Sequence, residues 1–250
     1  MIPIRRSVAL LALPAAALAF GAGAGEAQQR PDFLFRQPAA TLSVRAGYAM
    51  PSENGEIFDF VRSELTLGEG DFGGFVVAGD LSVRVTERVD LLIGAGFSQV
   101  EKDSEFREWV DLDDRPIEQN TLLSRLPVTI GAKVYFKDRG RSIGRFAWIP
   151  ADWVPYVGAA GGWTRFHFEQ AGDFVDFETL DVFPYTYVSE GWASTWAVLS
   201  GIDWSLNPRV ALRAEARYLW SSGDLGVDFE NFDPIDLGGL DASVGFAFRL

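Results

Sequence analysis

Apolar and polar residues alternate along much of the chain, and the clearest case is residues 209–220. One set of alternate positions is Val210, Leu212, Ala214, Ala216, Tyr218 and Trp220; the other is Ala211, Arg213, Glu215, Arg217 and Leu219. Because successive side chains of a β-strand point to opposite faces, this pattern predicts a strand with one apolar and one charged face. A soluble sheet would bury the apolar face, whereas a transmembrane barrel would turn it to lipid. This strand alone fits both.

Seven further stretches alternate in the same way, so the sequence predicts eight strands. They span residues 41–50, 75–85, 89–97, 122–136, 154–168, 192–204, 209–220 and 240–250. The connections are long, short, long, middling, long, short and long in order, and the first carries helical spacing over residues 56–65. Long loops at one end and short turns at the other are typical of outer-membrane barrels. We therefore predict an all-β fold, an eight-stranded antiparallel transmembrane β-barrel with long extracellular loops and short periplasmic turns.

Aromatic residues give an independent indication of a membrane protein, because they fall near the predicted strand ends. Tyr48, Phe75, Phe97, Trp163, Trp192 and Trp220 fall at the outer ends, and Tyr135, Phe136, Tyr156, Trp204 and Phe248 at the inner ends. Two such girdles are expected where amphipathic rings meet lipid headgroups. The alternative is a set of aromatics scattered through a β-core.

The first 27 residues have the features of a secretory signal peptide. Arg5 and Arg6 precede an apolar segment, residues 8–20, which is short for a transmembrane helix of about 20 residues. Small residues follow, and we expect cleavage after Ala27. Residues 28–40 then form a periplasmic lead-in, and residues 41–250 form the barrel domain.

Composition narrows the class of protein further. The net charge of -13 argues against a nucleic-acid partner, and the absence of cysteine rules out a disulfide framework. The 26 glycines and 14% aromatic residues suit many strands and turns.

Four segments resemble the small OmpA/OmpX-type outer-membrane barrels. They are LPVTIGAKVYF (126–136), PYVGAAGG (155–162), LNPRVALRAEARYLW (206–220) and the final SVGFAFRL (243–250). The resemblance implies the outer membrane of a Gram-negative-type bacterium, contact with outer-membrane lipid and lipopolysaccharide, and a monomer. The last segment looks like the signal read by the barrel-insertion machinery, although it ends on Leu250 where the family usually has Phe.

Three features of the sequence could indicate a binding or catalytic site, and each also has a simple structural explanation. The G-x-G-x-x-G pattern at residues 68–73 leads into a strand and lacks the helix N-terminus that binds phosphate. His167 is the single histidine and has no serine adjacent in sequence, so a lipid hydrolase is the least favoured function. The long loops are acidic and could bind divalent cations, or their Phe residues could simply pack the loops together. We predict no enzyme, no cofactor and no defined metal ligand.

The charged positions of the strands predict an ion-pair network inside the barrel. The inward set is Arg45, Asp80, Arg84, Lys133, Asp203, Arg213, Glu215, Arg217, Asp241 and Arg249. An eight-stranded interior is only wide enough for side chains, and enclosed charges are costly unless paired. We expect Glu215 at the centre, flanked by Arg213 and Arg217 and reached across the lumen by Lys133 or Arg45.

The predicted function follows from this closed interior. We expect a structural or surface-interaction role, with the lumen plugged by the ion pairs. The alternative is a narrow pathway for small apolar molecules, with a lateral gap left by Gly158, Gly161 and Gly162.

Overall fold

The computed structural model describes residues 33–250 except 112, 145, 177, 178 and 180. The expected signal peptide and the start of the lead-in lie outside the described residues. The elements in chain order are β1 (Ala40–Pro51), α1 (Glu56–Glu64), β2 (Gly74–Arg84), β3 (Val89–Val110), β4 (Pro116–Tyr135), β5 (Gly140–Ile143), β6 (Ala147–Pro150), β7 (Trp153–Val175), β8 (Val182–Ser205), β9 (Val210–Gly223), the 3-10 helix η1 (Val227–Phe229), β10 (Ile235–Asp236) and β11 (Gly239–Arg249).

Eight of these strands form a closed antiparallel ring. The order is β1, β2, β3, β4, β7, β8, β9 and β11, and β11 pairs with β1 to complete it. Closure leaves no free edge along the wall, so the backbone hydrogen bonds of a membrane-spanning sheet are satisfied within the protein. The predicted eight-stranded antiparallel barrel is therefore confirmed.

Four strands extend well past the ends predicted for them. β3, β4, β7 and β8 continue pairing through residues 99–110, 116–121, 169–175 and 182–191, most of which were expected to be loop. Toward the extension of β7 the polarity of the two faces is reversed: Phe166 and Phe168 face inward and are buried, whereas His167 and Glu169 face outward. Beyond this level the outward face meets water instead of lipid and is polar, so an apolar outward face marks only the membrane-spanning part of each strand, and the predicted strands are too short.

The extensions form a four-stranded sheet above the barrel mouth, and the first and last long loops pack against its inner face. The helix expected at residues 56–65 is present as α1, and its Ile57, Phe58 and Val61 are buried. They join a cluster with Phe72, from the first long loop, and Phe229, from η1. The loop phenylalanines thus close the long-loop end of the barrel with an apolar core.

The opposite end has short turns and one small hairpin. β5 and β6 pair with each other within the connection between β4 and β7. Leu34 of the lead-in exchanges backbone hydrogen bonds of 2.9 and 2.7 Å with Trp148 of β6. Trp148 is buried, so the lead-in and the hairpin lie together at the short-turn end.

The outward face of the ring is an apolar belt with aromatic residues toward both ends. Trp163 and Trp192 are exposed near the long-loop end, and Phe136 and Trp204 near the short-turn end. Among the described residues no helix is long and apolar enough to cross a membrane.

Two of the expected girdle residues lie elsewhere. Tyr135 and Tyr156 are buried in the lumen, where their side chains contact carboxylates. Both share the inward face with charged residues, so the alternation itself indicates this position, and the assignment of these two tyrosines to the inner girdle was wrong.

Strong curvature of the narrow ring explains several inward glycines. A Cβ on Gly162 would lie 2.0 Å from the carbonyl oxygen of Val128, and one on Gly245 would lie 2.0 Å from that of Val44. No side chain fits at such a separation, so glycine lets adjacent strands approach on the concave side.

The orientation of the barrel gives a labelling prediction. The chain has no cysteine, so single substitutions report exposure without background. On intact cells an impermeant maleimide should label Glu101→Cys and Asp233→Cys, as for other exposed positions in residues 101–118 and 224–236. Arg141→Cys, in the segment 140–145, should react only after lysis. Labelling in the opposite sense would invert the orientation.

The enclosed polar lumen as candidate functional site

Asp80 is the carboxylate with the most cationic neighbours in the lumen. It projects inward from β2 and is almost fully buried. Arg45 from β1 donates a hydrogen bond to Oδ1, and Lys133 Nζ from β4 lies 3.1 Å from Oδ2. Arg213 Nη1 from β9 lies 3.3 Å from Oδ2, and the Ser82 hydroxyl donates to the same oxygen over 3.1 Å. Asp80 therefore joins three strands through three buried cations.

Glu215 forms a second acidic centre beside the first. Its Oε1 lies 3.1 Å from Nη2 of Arg45 and 3.0 Å from Nη2 of Arg217. The Tyr156 hydroxyl donates to Oε2 over 2.7 Å. Since Arg45 contacts both Glu215 and Asp80, the two centres belong to one network.

Asp203 continues this network on the β8 side. Arg213 donates to it through Nε over 2.6 Å and through Nη2 over 2.8 Å, which is a bidentate pair. These two residues are directly opposite in the register of β8 and β9. Direct cross-strand partners on one face lie close together, and in the described chain Arg213 forms ion pairs with Asp203 and Asp80 and none with Glu215.

The structure thus brings seven of the ten expected residues into one connected cluster. They are Arg45, Asp80, Lys133, Asp203, Arg213, Glu215 and Arg217. The centre differs from the expectation, because Asp80 and not Glu215 contacts the largest number of cations.

In the described chain the other three expected residues form no direct ion pair with this cluster. Arg249 donates to the Ser205 hydroxyl over 2.7 Å and to backbone carbonyls of the last short turn. Arg84 and Asp241 are partly buried, and each has one enclosed polar atom without a hydrogen-bond partner, Nη1 and Oδ1 respectively.

Sequence reasoning missed further buried polar residues of the interior. Arg125 is buried and donates through Nη1 to the carbonyl oxygens of Leu237 and Gly238, at 3.0 and 3.2 Å. Asp90 accepts from the Tyr135 hydroxyl over 3.2 Å and from Arg139 over 2.8 Å. Arg125 and Asp90 both occupy inward positions of their strands, so extending the alternation to the strand ends would have found them.

From the ion-pair cluster toward the long-loop end, the interior is lined first by hydroxyl groups and then by apolar side chains. Thr164 and Thr195 hydroxyls lie 2.6 Å apart, and Thr195 donates to Ser221 over 3.0 Å. The buried cluster that contains Phe58 and Phe72 follows at the long-loop end. Two different obstructions, one ionic and one apolar, therefore lie in series along the barrel axis.

The glycines expected to leave a lateral gap lie within continuous sheet. Gly158, Gly161 and Gly162 of β7 are each in register with β4 on one side and β8 on the other. The wall is unbroken at this strand.

The G-x-G-x-x-G segment at residues 68–73 has a structural role. The backbone N–H groups of Gly70 and Phe72, in the G-x-G-x-x-G segment, donate to the buried carboxylate of Glu53 over 3.0 and 3.1 Å. This acidic side chain already occupies the amide donors that an anionic ligand would need.

His167 lies on the outward face between carboxylates. Its Nε2 is 3.2 Å from Glu169, and its Nδ1 is 3.8 Å from Glu190. Ser124 is opposite His167 in the register, but in the described part of the chain no hydrogen bond joins them. Among the residues that the structure describes, no three histidine, aspartate or glutamate side chains are placed to hold a metal ion.

Solved outer-membrane proteins are similar to this chain in structure, and one of them, OprG, reaches a TM-score of 0.50. The outer-membrane protein OprG from Pseudomonas aeruginosa is 13% identical with a TM-score of 0.50, over 87% of this chain and 99% of that chain. Neisserial surface protein A is 13% identical with a TM-score of 0.44, over 84% and 97%. The Escherichia coli outer membrane protein W is 16% identical with a TM-score of 0.40, over 86% and 99%. No protein-family model and no curated protein matches the chain.

The chain therefore has the fold of the small outer-membrane β-barrel proteins, as the resemblance predicted. The predicted outer-membrane location agrees with this fold.

The Asp80 network gives a stability prediction. Asp80→Ala should lower the free energy of unfolding by roughly 3 to 5 kcal/mol, because it leaves Lys133 buried without its carboxylate. Glu215→Ala should cost less than Asp80→Ala, although still about 3 kcal/mol, since Arg45 keeps its contact with Asp80. Urea unfolding in lipid vesicles, followed by tryptophan fluorescence, measures both.

A matched control is Asp138→Ala, which breaks an exposed pair with Arg88. It should change the free energy of unfolding by less than about 1 kcal/mol. Equal effects of Asp80→Ala and Asp138→Ala would contradict the central role of Asp80.

Proposed function

We propose that this protein is a closed outer-membrane barrel with a structural or surface-interaction role and no enzymatic activity. The filled interior is the observation that carries this proposal. Because the ionic and the apolar obstruction lie in series, a solute would have to displace both to cross.

The arrangement of the loops supports surface interaction. α1 and η1 are held against the projecting sheet by buried side chains, so the long-loop end has a defined shape. Arg125 adds a polar link, because it fixes the backbone at Leu237 and Gly238 from inside the barrel. A partner would therefore meet an ordered surface, which lowers the entropic cost of binding.

Conductance in planar bilayers tests the closed interior. Wild-type protein should show no steady conductance. Asp80→Ala removes the centre of the ionic layer, and Phe58→Ser disturbs the apolar layer, so each single variant should still be closed. The double variant should show transient openings.

Folding of each variant is checked by its heat-dependent mobility on gels before the bilayer measurement. A large and stable wild-type conductance would overturn the closed-barrel proposal and favour transport.

A further inference from the structure

The projecting end of the β7–β8 hairpin carries a run of contacting aromatic rings. Phe183, Tyr185 and Tyr187 occupy alternate positions of β8 and therefore one face, and Phe174 is opposite Phe183 on β7. Ring centroids are 4.7 Å apart for Phe174 and Tyr187, 4.5 Å for Tyr185 and Tyr187, and 6.5 Å for Phe183 and Tyr185. We call these four residues the aromatic ladder.

The aromatic ladder is anchored at one end and open at the other. Tyr187 contacts the buried Phe229 at 6.0 Å, and Phe229 contacts the buried Phe168 at 5.4 Å. Tyr185, in contrast, is 49% exposed. A rigid attachment to the core with exposed ring surface is typical of a recognition site, since little side-chain freedom is lost on binding.

The surroundings of the ladder are acidic. The sequence contains no Lys or Arg in residues 166–208 or 218–248, whereas the first two long loops contain Arg62, Lys102, Arg107 and Arg115. The carboxylate of Asp228 accepts a hydrogen bond from the Val188 N–H over 2.9 Å and is thus fixed beside the ladder. Partial burial, together with Tyr185 and Asp228, raises the pKa of Tyr187, so its hydroxyl stays neutral.

Addition of a strand from a partner is disfavoured at this hairpin. In the described chain the pairing of β8 with β9 begins at Ser194, so residues 182–193 pair with β7 alone. The Val188 N–H points away from β7, toward Asp228, and Pro184 lies on the same side without an N–H. Proline on a free edge blocks strand pairing, so recognition has to use the side-chain face.

We propose that the aromatic ladder binds lysine- or arginine-rich peptide segments of another protein. Aromatic faces attract ammonium and guanidinium groups, and neighbouring carboxylates pair with them. Both flanking segments lack basic side chains that would repel such a partner. The inference rests on the proposed surface-interaction role and specifies its partner.

The test uses the full-length protein in nonionic detergent micelles and a fluorescein-labelled decapeptide of alternating lysine and glycine. Fluorescence anisotropy should show saturable binding. Tyr185→Leu keeps an apolar side chain but removes the ring, and should raise Kd about fivefold. Asp228→Asn keeps a hydrogen-bond acceptor but removes the charge, and should raise Kd about threefold.

The matched control is Glu101→Gln, which removes one exposed acidic charge from β3, at the edge of the projecting sheet opposite β8. It should leave Kd unchanged. An equal rise in Kd for Glu101→Gln and Asp228→Asn would overturn the proposal, because the attraction would then come from total charge. Unchanged peptide binding in Tyr185→Leu would also overturn it. If that variant instead lost binding to a neutral oligosaccharide, the aromatic rings would be a sugar-binding site.

The two proposals fail separately. Absence of peptide binding by a non-conducting barrel would overturn the ladder proposal alone. Steady conductance with intact peptide binding would overturn the closed-barrel proposal alone.

Discussion

Closure of the hydrogen-bond ladder between β1 and β11 is the constraint on which the rest of the structure depends. Lipid offers no partner for a backbone N–H or C=O, so the spanning sheet has to close on itself. With eight strands, closure leaves a strongly curved wall and a narrow interior. Glycine at Gly162 and Gly245 follows from the curvature, and a side-chain-filled lumen follows from the width.

Charges in that interior are stable only as a group. Asp80 contacts three cations. Two of them also contact a second carboxylate: Arg45 contacts Glu215, and Arg213 contacts Asp203. Each of these two arginine side chains is therefore held by two carboxylates. Ordering one arginine side chain costs conformational entropy once and allows two ion pairs to form. The network also joins β1, β2, β4, β8 and β9 across the lumen, where the backbone ladder joins only neighbours.

Much of this arrangement could be predicted from alternation, because a strand fixes which face each side chain occupies. Alternation gives the inward direction of Asp80 and Glu215 but not the partners, which depend on register between strands. The register places Asp203 opposite Arg213, and Asp80 instead of Glu215 contacts the largest number of cations. The lengths of β3 and β4 could not be read from outward apolar residues, because beyond the membrane the outward face is polar while pairing continues.

This reversal of the pattern also locates the boundary between lipid and water on the wall. On β7 the outward residue changes from the exposed Trp163 to Arg165, and on β8 from Trp192 to Glu190. Arg165 and Glu190 lie 3.5 Å apart as an exposed ion pair, which a lipid-facing surface would not tolerate. The wall above this level therefore stands in water and has to bury its inward apolar face on its own. α1 and η1 supply the covering layer, so the closed mouth is a consequence of extending the strands beyond the membrane.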